Sequence, residues 1–393
     1  MEVTVGKELK VQKTELDHIP HDWIATTFGE TFTGFSSGMT PFRGVLEYYT
    51  GKIPWITSGE LNYNLIEDTW EKITEEAVIK TNLKIHPVGT FLMAITGLEA
   101  AGTRGSCAIT GIKATTNQSC MALFPIKGKT TTKYLYHFYV YYGNELAFKY
   151  CQGTKQQSYT GRIVKRLPIH LPPTLTEQKA IARVITDTDA LIQALEKKIA
   201  KKKLIKKGVM QKLLTPKKGW SLKKLGNLCE TITTGKLDAN AMVKDGAFRF
   251  YTCAKEYYYI DNYSFDTEAL LVSGNGANVG YIHYYKGKFN AYQRTYVLSG
   301  FKQNILFIKQ FMDKYLKFRI NEQKNDGNTP YIKMDTLTEM EIYYPPIEEQ
   351  KQIVHILSDI DKEIAQLVQK LSKYQLAKQG MMQKLLTGKI RLV

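Results

Sequence analysis

The sequence predicts an α/β chain built as an internal repeat. Two globular domains of strands and helices are separated by a pair of long antiparallel coiled-coil helices, and a pseudo-twofold relates the halves. Three observations carry this. The segment from Pro172-Pro173 through Glu177-Gln178-Lys179 to Met210-Gln211-Lys212-Leu213-Leu214-Thr215 recurs from Pro345-Pro346 through Glu349-Gln350-Lys351 to Met382-Gln383-Lys384-Leu385-Leu386-Thr387. From Glu177 to Thr215 the copies run in gapless register at an offset of 172 (349 − 177), with about half their positions identical, and a repeat of this length is read before any single motif. Within each copy the apolar residues recur four and three apart: Ile181, Ile185, Thr188, Ile192, Leu195 and Ile199, then Ile353, Leu357, Ile360, Ile364, Leu367, Leu371 and Tyr374. That spacing is a heptad seam, and two such seams in one chain most simply pack on each other.

In chain order, an N-terminal domain is expected over 1–166, a spacer helix over 167–215, a second domain over 216–339 and a second spacer helix over 340–393. Trp23 followed by Phe28-Gly29, and Trp220 followed by Leu225-Gly226, open the two domains as core anchors. Thr90–Ile95 and Ala269–Val272 read as short buried strands running into the glycine-rich turns Gly97–Gly105 and Gly274–Gly280. Neither turn matches the phosphate-cradling G-x-x-x-x-G-K-[ST], so the glycines permit a tight hairpin or a close backbone approach instead. Polar strands carrying Asn117-Gln118-Ser119 and Asn290 to Arg294 come next, then helix-like stretches over Tyr134–Tyr150 and Phe307–Glu322, each followed by a polar loop. A Pro-Pro breaker precedes each long helix, and Glu177, Glu348 and Glu349 complement the dipole of its first turn. At ~1.5 Å per residue, a helix of about 35 to 40 residues is ~50 to 60 Å long, a ruler between whatever its ends carry.

Composition narrows the partner. The net charge of +17 and the pI near 9.3 suit a protein that neutralises phosphates. Part of the excess is one run, Lys197, Lys198, Lys201, Lys202, Lys203, Lys206 and Lys207, which reads either as a solvated helix face or as a contact to phosphate or an acidic partner. The five cysteines show no C-x-x-C spacing and are expected to be reduced thiols. No apolar run approaches the ~18 to 20 residues of a membrane span, and the first residues are unlike a signal peptide, so a cytoplasmic location is expected.

Asparagine, glutamine and arginine can pair bidentately with base edges, and lysine mainly neutralises phosphate. On that chemistry the candidate DNA-binding residues are Arg104, Asn117, Gln118, Lys155, Gln156, Gln157, Asn275, Asn278, Gln293, Arg294, Lys324, Asn325 and Asn328. Catalytic signals are missing. The prolines of Leu171-Pro172-Pro173-Thr174 and Tyr344-Pro345-Pro346-Ile347 do not form the N-P-P-[FY] loop that holds a flipped adenine, and the seven histidines form no metal-spaced pair or triad. The matched carboxylates Asp187, Asp189, Asp359 and Asp361 read as helix-surface charge rather than a metal nuclease site. A self-contained methyltransferase or nuclease, and a scaffold joining two protein-binding domains, are the competing classes.

A globular domain, P-P-x-x-x-E-Q-K or its one-residue-shorter form, a heptad helix ending in M-Q-K-L-L-T, and then the same again closing on Met382-Gln383-Lys384-Leu385-Leu386-Thr387-Gly388-Lys389-Ile390-Arg391 resembles the specificity subunit of type I restriction-modification systems. The resemblance covers essentially the whole chain. It implies that each globular domain is a target-recognition domain reading one half of a split, asymmetric DNA site. It also implies that the paired helices set the unread gap and dock two adenine-N6 methyltransferase (modification) subunits, with translocating restriction subunits as a further partner or, in a methylation-only complex, without them. By the same resemblance the chain is non-catalytic and holds no cofactor, since S-adenosylmethionine, ATP and magnesium would bind the partner subunits. The first copy departs from the pattern at Pro216, where the second has Gly388.

Overall fold

The computed structural model describes residues 3–4, 10–100, 102–153, 157–322 and 331–392. Its two long helices run Leu175–Leu213 and Ile347–Leu385, 39 residues each. The chain divides into a first unit, Met1–Ala194 with Leu371–Val393, and a second unit, Leu195–Lys370. Each unit therefore contains the beginning of one long helix and the end of the other.

In the first unit a five-stranded sheet has the order 32–37, 120–125, 91–94, 107–110, 64–66, and a separate three-stranded sheet has the order 115–116, 53–56, 71–73. Strand Phe91–Ala94 is wholly buried because both faces are covered. The helix Thr132–Tyr150 packs Tyr134, Leu135, Phe138, Tyr139 and Tyr142 into the same core. It begins two residues before the expected stretch because Thr131 caps it, its hydroxyl accepting from the Tyr134 N–H at 3.2 Å.

The second unit has one six-stranded sheet with the order 231–234, 295–299, 265–273, 282–291, 248–251, 258–260. The plan is that of the first unit with one break repaired. Ile282–Ala291 is a single ten-residue strand that pairs with 265–273 along one part and with 248–251 along another. Its counterpart in the first unit stops at Thr110 and resumes at Thr115, so strand Ile53–Ile56 pairs in a sheet of its own. Helix Ile305–Glu322 covers the sheet through Phe307, Ile308, Phe311, Met312 and Leu316, and the Asn304 carboxamide caps it, accepting from Leu306 and Phe307.

Both units are clasped at their ends. Strand Ile24–Thr27, directly after Trp23, pairs antiparallel with Pro168–Leu171, and Ser221–Lys224, directly after Trp220, pairs with Glu341–Tyr344. The outgoing strand then runs into the Pro-Pro pair and the long helix. Here the repeated Glu-Gln has its physical reason. Buried Gln178 donates to the carbonyls of Lys129 and Pro172 at 3.0 and 3.3 Å. Buried Gln350 donates to Gln303 and Pro345 and accepts from the Asn304 N–H. Each glutamine thus ties the start of the long helix to the loop before the unit's own shorter helix.

The preceding glutamate reaches the residues that follow the other helix. Glu177, 1% exposed, takes two bonds from Arg391 at 2.6 and 2.8 Å, and the same guanidinium donates to both oxygens of Asp22 at 2.9 Å. Its counterpart Glu349 meets Lys217 at 3.6 Å with both side chains partly solvated. The apolar end of each helix completes the same cores: Met382, Leu385 and Leu386 join the first, while Met210, Leu213 and Leu214 join the second.

Within each unit the two helical segments run antiparallel. In the first, Glu177 faces Arg391 and, further along, Asp189 faces Lys378. In the second, Lys202 faces Glu363 and Lys206 faces Asp361, both at 2.7 Å. The expected seam is most deeply buried where the helices meet the cores, at Ile181, Ile185, Ile353 and Leu357, then at Ile192, Leu195 and Ile199. Thr188, Ile360, Ile364, Leu367, Leu371 and Tyr374 are half-buried.

Removing one partner of a buried ion pair strands the other, at a cost of roughly 3–5 kcal/mol, whereas a solvated pair contributes about 0–1 kcal/mol. Arg391→Ala is therefore expected to lower the urea midpoint sharply and Lys217→Ala hardly at all. Equal, small shifts for both variants would contradict the burial of Glu177.

Candidate nucleic-acid interface

Of the residues expected on polar strands, Asn290 and Ala291 close strand Ile282–Ala291, whereas Asn117-Gln118-Ser119 and Gln293-Arg294 lie on a turn, the same turn in both units. In the first unit Asn117 follows strand Thr115–Thr116, its N–H donating to the Ile56 carbonyl at 2.9 Å, and its own carbonyl accepts from Cys120. In the second, Tyr292 donates to the Tyr251 carbonyl at 2.9 Å and accepts from Thr295. Asn117-Gln118-Ser119 and Tyr292-Gln293-Arg294 are therefore structural counterparts. A glycine underlies each: a Cβ on Gly38 would lie 1.8 Å from the Thr116 oxygen, and one on Gly235 would lie 1.9 Å from the Ala291 oxygen. Only a residue without a side chain lets that loop pass beneath the turn.

The loop after each glycine also holds the exposed glutamine. Thr40 donates its hydroxyl to the Gln118 carbonyl oxygen, and the Gln293 amide donates to Asp238 at 2.9 Å. Among the described residues, the Gln118 amide nitrogen and the Gln293 amide oxygen have no hydrogen-bond partner.

A second backbone element adjoins the turn. Tyr159 donates its N–H to Ile95 at 2.8 Å and Ile332 to Gly274 at 2.7 Å, which pairs Thr96 with Ser158 and Asn275 with Tyr331. In the second unit Asn275, Gln293 and Arg294 line one cleft of about 320 Å³ together with Thr234 and Tyr331. Arg294 is exposed, and its guanidinium has no hydrogen-bond or ion-pair partner among the described residues. An amide pair, a free guanidinium and an aromatic ring around one cleft can pair with a purine edge and stack on its face. Tyr331 was not among the candidates, although an aromatic placed directly after a polar loop was the available signal.

Other candidates are engaged in bonds within the chain. Arg104 donates to the carbonyls of Leu98 and Glu99 at 2.8 and 3.0 Å and so closes the turn it sits on. Asn117 accepts from the Ser119 N–H, and Asn278 donates to the Cys253 carbonyl at 3.1 Å. The Gln157 side-chain oxygen accepts from the Cys151 thiol at 3.4 Å, while its backbone accepts from the Leu98 N–H and donates to the Glu99 carboxylate. Lys155, Gln156, Lys324, Asn325 and Asn328 lie outside the described residues.

The ionisable groups have structural tasks. Burial, joined by the nearby Lys378 and Lys133, lowers the His137 pKa to about 3, and its Nε2 lies 2.8 Å from the Thr186 hydroxyl. Burial lowers His170 to about 4, its Nε2 lying 2.8 Å from the Thr14 hydroxyl. Of the matched helix carboxylates, Asp189 and Asp361 serve the interhelical ion pairs, Asp187 meets Arg183, and Asp359 meets His355 and Lys362. Among the described residues no group of histidine, cysteine, aspartate and glutamate is arranged to hold a metal ion, and no helix is long and apolar enough to cross a membrane. The cysteines are free, with Cys107, Cys120 and Cys229 buried.

A family model described as the type I restriction modification DNA specificity domain matches residues 20–204 and again 217–373. The type I restriction enzyme EcoDI specificity subunit of Escherichia coli is 36% identical over 154 residues, which is 38% of this chain and 34% of that protein. The putative type I restriction enzyme MjaX specificity subunit of Methanocaldococcus jannaschii is 26% identical over 424 residues, 98% of each chain. In fold, the crystal structure of the S subunit of a type I restriction-modification system from M. genitalium is similar with a TM-score of 0.65 at 17% identity, covering 92% of this chain and 96% of that one.

The buried histidines make the first unit sensitive to acid. Both imidazoles have a folded pKa below the ordinary value of ~6.5, so below that pH the unfolded chain binds protons that the folded chain refuses. Their stabilisation is complete above pH ~6.5 and is lost as pH falls towards 4 and 3, by up to about 1.4 kcal/mol per pH unit for each. The urea midpoint should drop between pH 7 and pH 5, and replacing His137 or His170 with Gln should flatten that slope. An unchanged slope would place those rings in solvent.

Proposed function

Since the chain belongs to the family of type I restriction-modification DNA specificity subunits, we propose that its two globular domains read the two halves of a split, non-palindromic duplex site. Its part in such a system is recognition, and the chemistry falls to other subunits. The observation that carries the bipartite reading is the shared turn. One backbone frame presents Asn117-Gln118-Ser119 in the first unit and Tyr292-Gln293-Arg294 in the second. Beside that turn Thr96 and Ser158 are replaced by Asn275 and Tyr331. Two readers with the same mount and different side chains suit two different half-sites.

The recognition domains are taken as 1–166 and 216–339. The helix pair is read as the element that fixes the length of the unread gap; 39 residues at ~1.5 Å each give about 58 Å. Two adenine-methylating modification subunits, with restriction subunits where the system cuts, complete the assembly. Because the long-helix segments are alike while the reading turns differ, the chain is near-symmetric towards those partners and asymmetric towards DNA. Target adenines about one helical turn apart, ~34 Å, fall within the span of such a spacer.

Mapping methylated adenines in DNA modified by the complex should return two unlike half-sites separated by a gap of constant length. A single continuous or palindromic site would refute the proposal. Arg294→Ala should weaken one half-site by about 1–3 kcal/mol and leave the other unchanged, while Gln118→Ala should do the reverse. Equal losses on every sequence, with a shallower dependence on log salt, would make those residues phosphate contacts.

A further inference from the structure

The two turns carry a glutamine at the same place, Gln118 in the first unit and Gln293 in the second, but the groups that hold them differ in kind. Thr40 holds Gln118, and a hydroxyl can serve either end of an amide. Asp238 holds Gln293 at 2.9 Å. A carboxylate only accepts, so the amide nitrogen of Gln293 must face Asp238 and its carbonyl oxygen must face away.

The backbone beneath is equally fixed. The Gln293 N–H donates to the carbonyl of Leu237, next to Asp238, at 2.9 Å, and the Arg294 carbonyl accepts from the Gly274 N–H at 2.8 Å. Gln293 thus offers a carbonyl oxygen with no partner among the described residues. Arg294, its neighbour on the same cleft of about 320 Å³, offers only donors.

Base pairs differ in the order of donors and acceptors along the major-groove edge. From guanine to cytosine, a G·C pair presents N7 and O6, both acceptors, and then the N4 amino donor; in an A·T pair the amino donor lies between two acceptors. A guanidinium fork followed by one acceptor matches the first order and not the second. Arg294 takes guanine N7 and O6, and the Gln293 carbonyl oxygen accepts from cytosine N4. An amide free to turn over could instead donate to thymine O4, and would no longer separate the two pairs.

We propose that Gln293 and Arg294 together read one G·C pair in the half-site that falls to the second domain, and that Asp238 is a positioning residue that fixes the sense of the Gln293 amide. The inference rests on the specificity-subunit reading above and adds to it the base pair and the group that orients its reader. The turn of the first unit lacks this pattern, since Ser119 stands in the place of Arg294 and Thr40 does not fix the Gln118 amide.

The test is the site preference of the full chain assembled with the modification subunit of its own system, read by mapping methylated adenines over a pool of randomised duplexes. The unaltered complex should require G·C at one position of one half-site, and Arg294→Ala should relax that position. Asp238→Asn lets the Gln293 amide turn over, because a carboxamide both donates and accepts, and preference for G·C over A·T at the same position should fall at least about tenfold. Asp238→Asn combined with Gln293→Glu exchanges the two ends of the bond. The new carboxamide donates, the new carboxylate again turns an acceptor outwards, and the preference should return. A loop that had merely lost its support would not be rescued in this way. The inference alone is overturned if no G·C position responds to Arg294→Ala, if Asp238→Asn leaves that position unchanged, or if the double variant is no more selective than Asp238→Asn. If the unaltered complex recognised no split site, the specificity-subunit reading would fail and this inference with it.

Discussion

The bonds of Arg391 to Glu177 and Asp22 are the interaction on which the first unit depends. A buried carboxylate would cost several kcal/mol without a partner, and its partner comes from 214 residues further along the chain. The same reach is built into both cores, because each takes its last apolar layer from the end of the helix that begins in the other unit. Neither half of the sequence is therefore a self-sufficient fold. The first unit in particular is closed by a contact that spans 214 residues of chain, and bringing such distant residues together carries a large loop-closure entropy.

The two units keep one frame and vary what it carries. The clasped end strands, the capped helix over the sheet and the glycine beneath the turn recur at equivalent positions. What changes is the sheet edge and the turn. An unbroken strand Ile282–Ala291 gives the second unit a single wide sheet, and the gap between Thr110 and Thr115 gives the first a separate small one with its own core around Trp55, Ile73 and Ala77. The shared features are those that backbone hydrogen bonding and close packing dictate. The divergent ones lie where side chains are free to point outwards.

The repeat, the heptad seam and the helix starts were legible because each depends on local spacing that a sequence displays directly. The candidate DNA-binding residues are less so. Arg104 and Asn117 have the chemistry of base readers but spend it on their own turns, the Asn278 amide goes to the Cys253 carbonyl on another loop, and the Gln157 side-chain oxygen accepts from the Cys151 thiol; nothing in one sequence separates a polar side chain that recognises from one that ties a loop. Asn117-Gln118-Ser119 is expected on a polar strand, yet the hydrogen bonds of Asn117 to Ile56 and Cys120, which depend on residues distant in sequence as well as near ones, make a turn. Of the seven clustered lysines, Lys202 and Lys206 are interhelical partners of Glu363 and Asp361. That role is set by the register of a helix some 150 residues away, which lysine spacing alone does not encode.

The clasp between the strand after each tryptophan and the strand before each Pro-Pro brings the ends of every reading domain to one spot. The outward turns between Thr27 and Pro168, or between Lys224 and Glu341, can lengthen or shorten without moving the start of a long helix, whereas Lys129, His137, Gln303 and Asn304, which hydrogen-bond that helix, are held in place. Each clasp is thus a fixed hem: drift in the outward turns stops there, and the helix beyond it keeps its starting point.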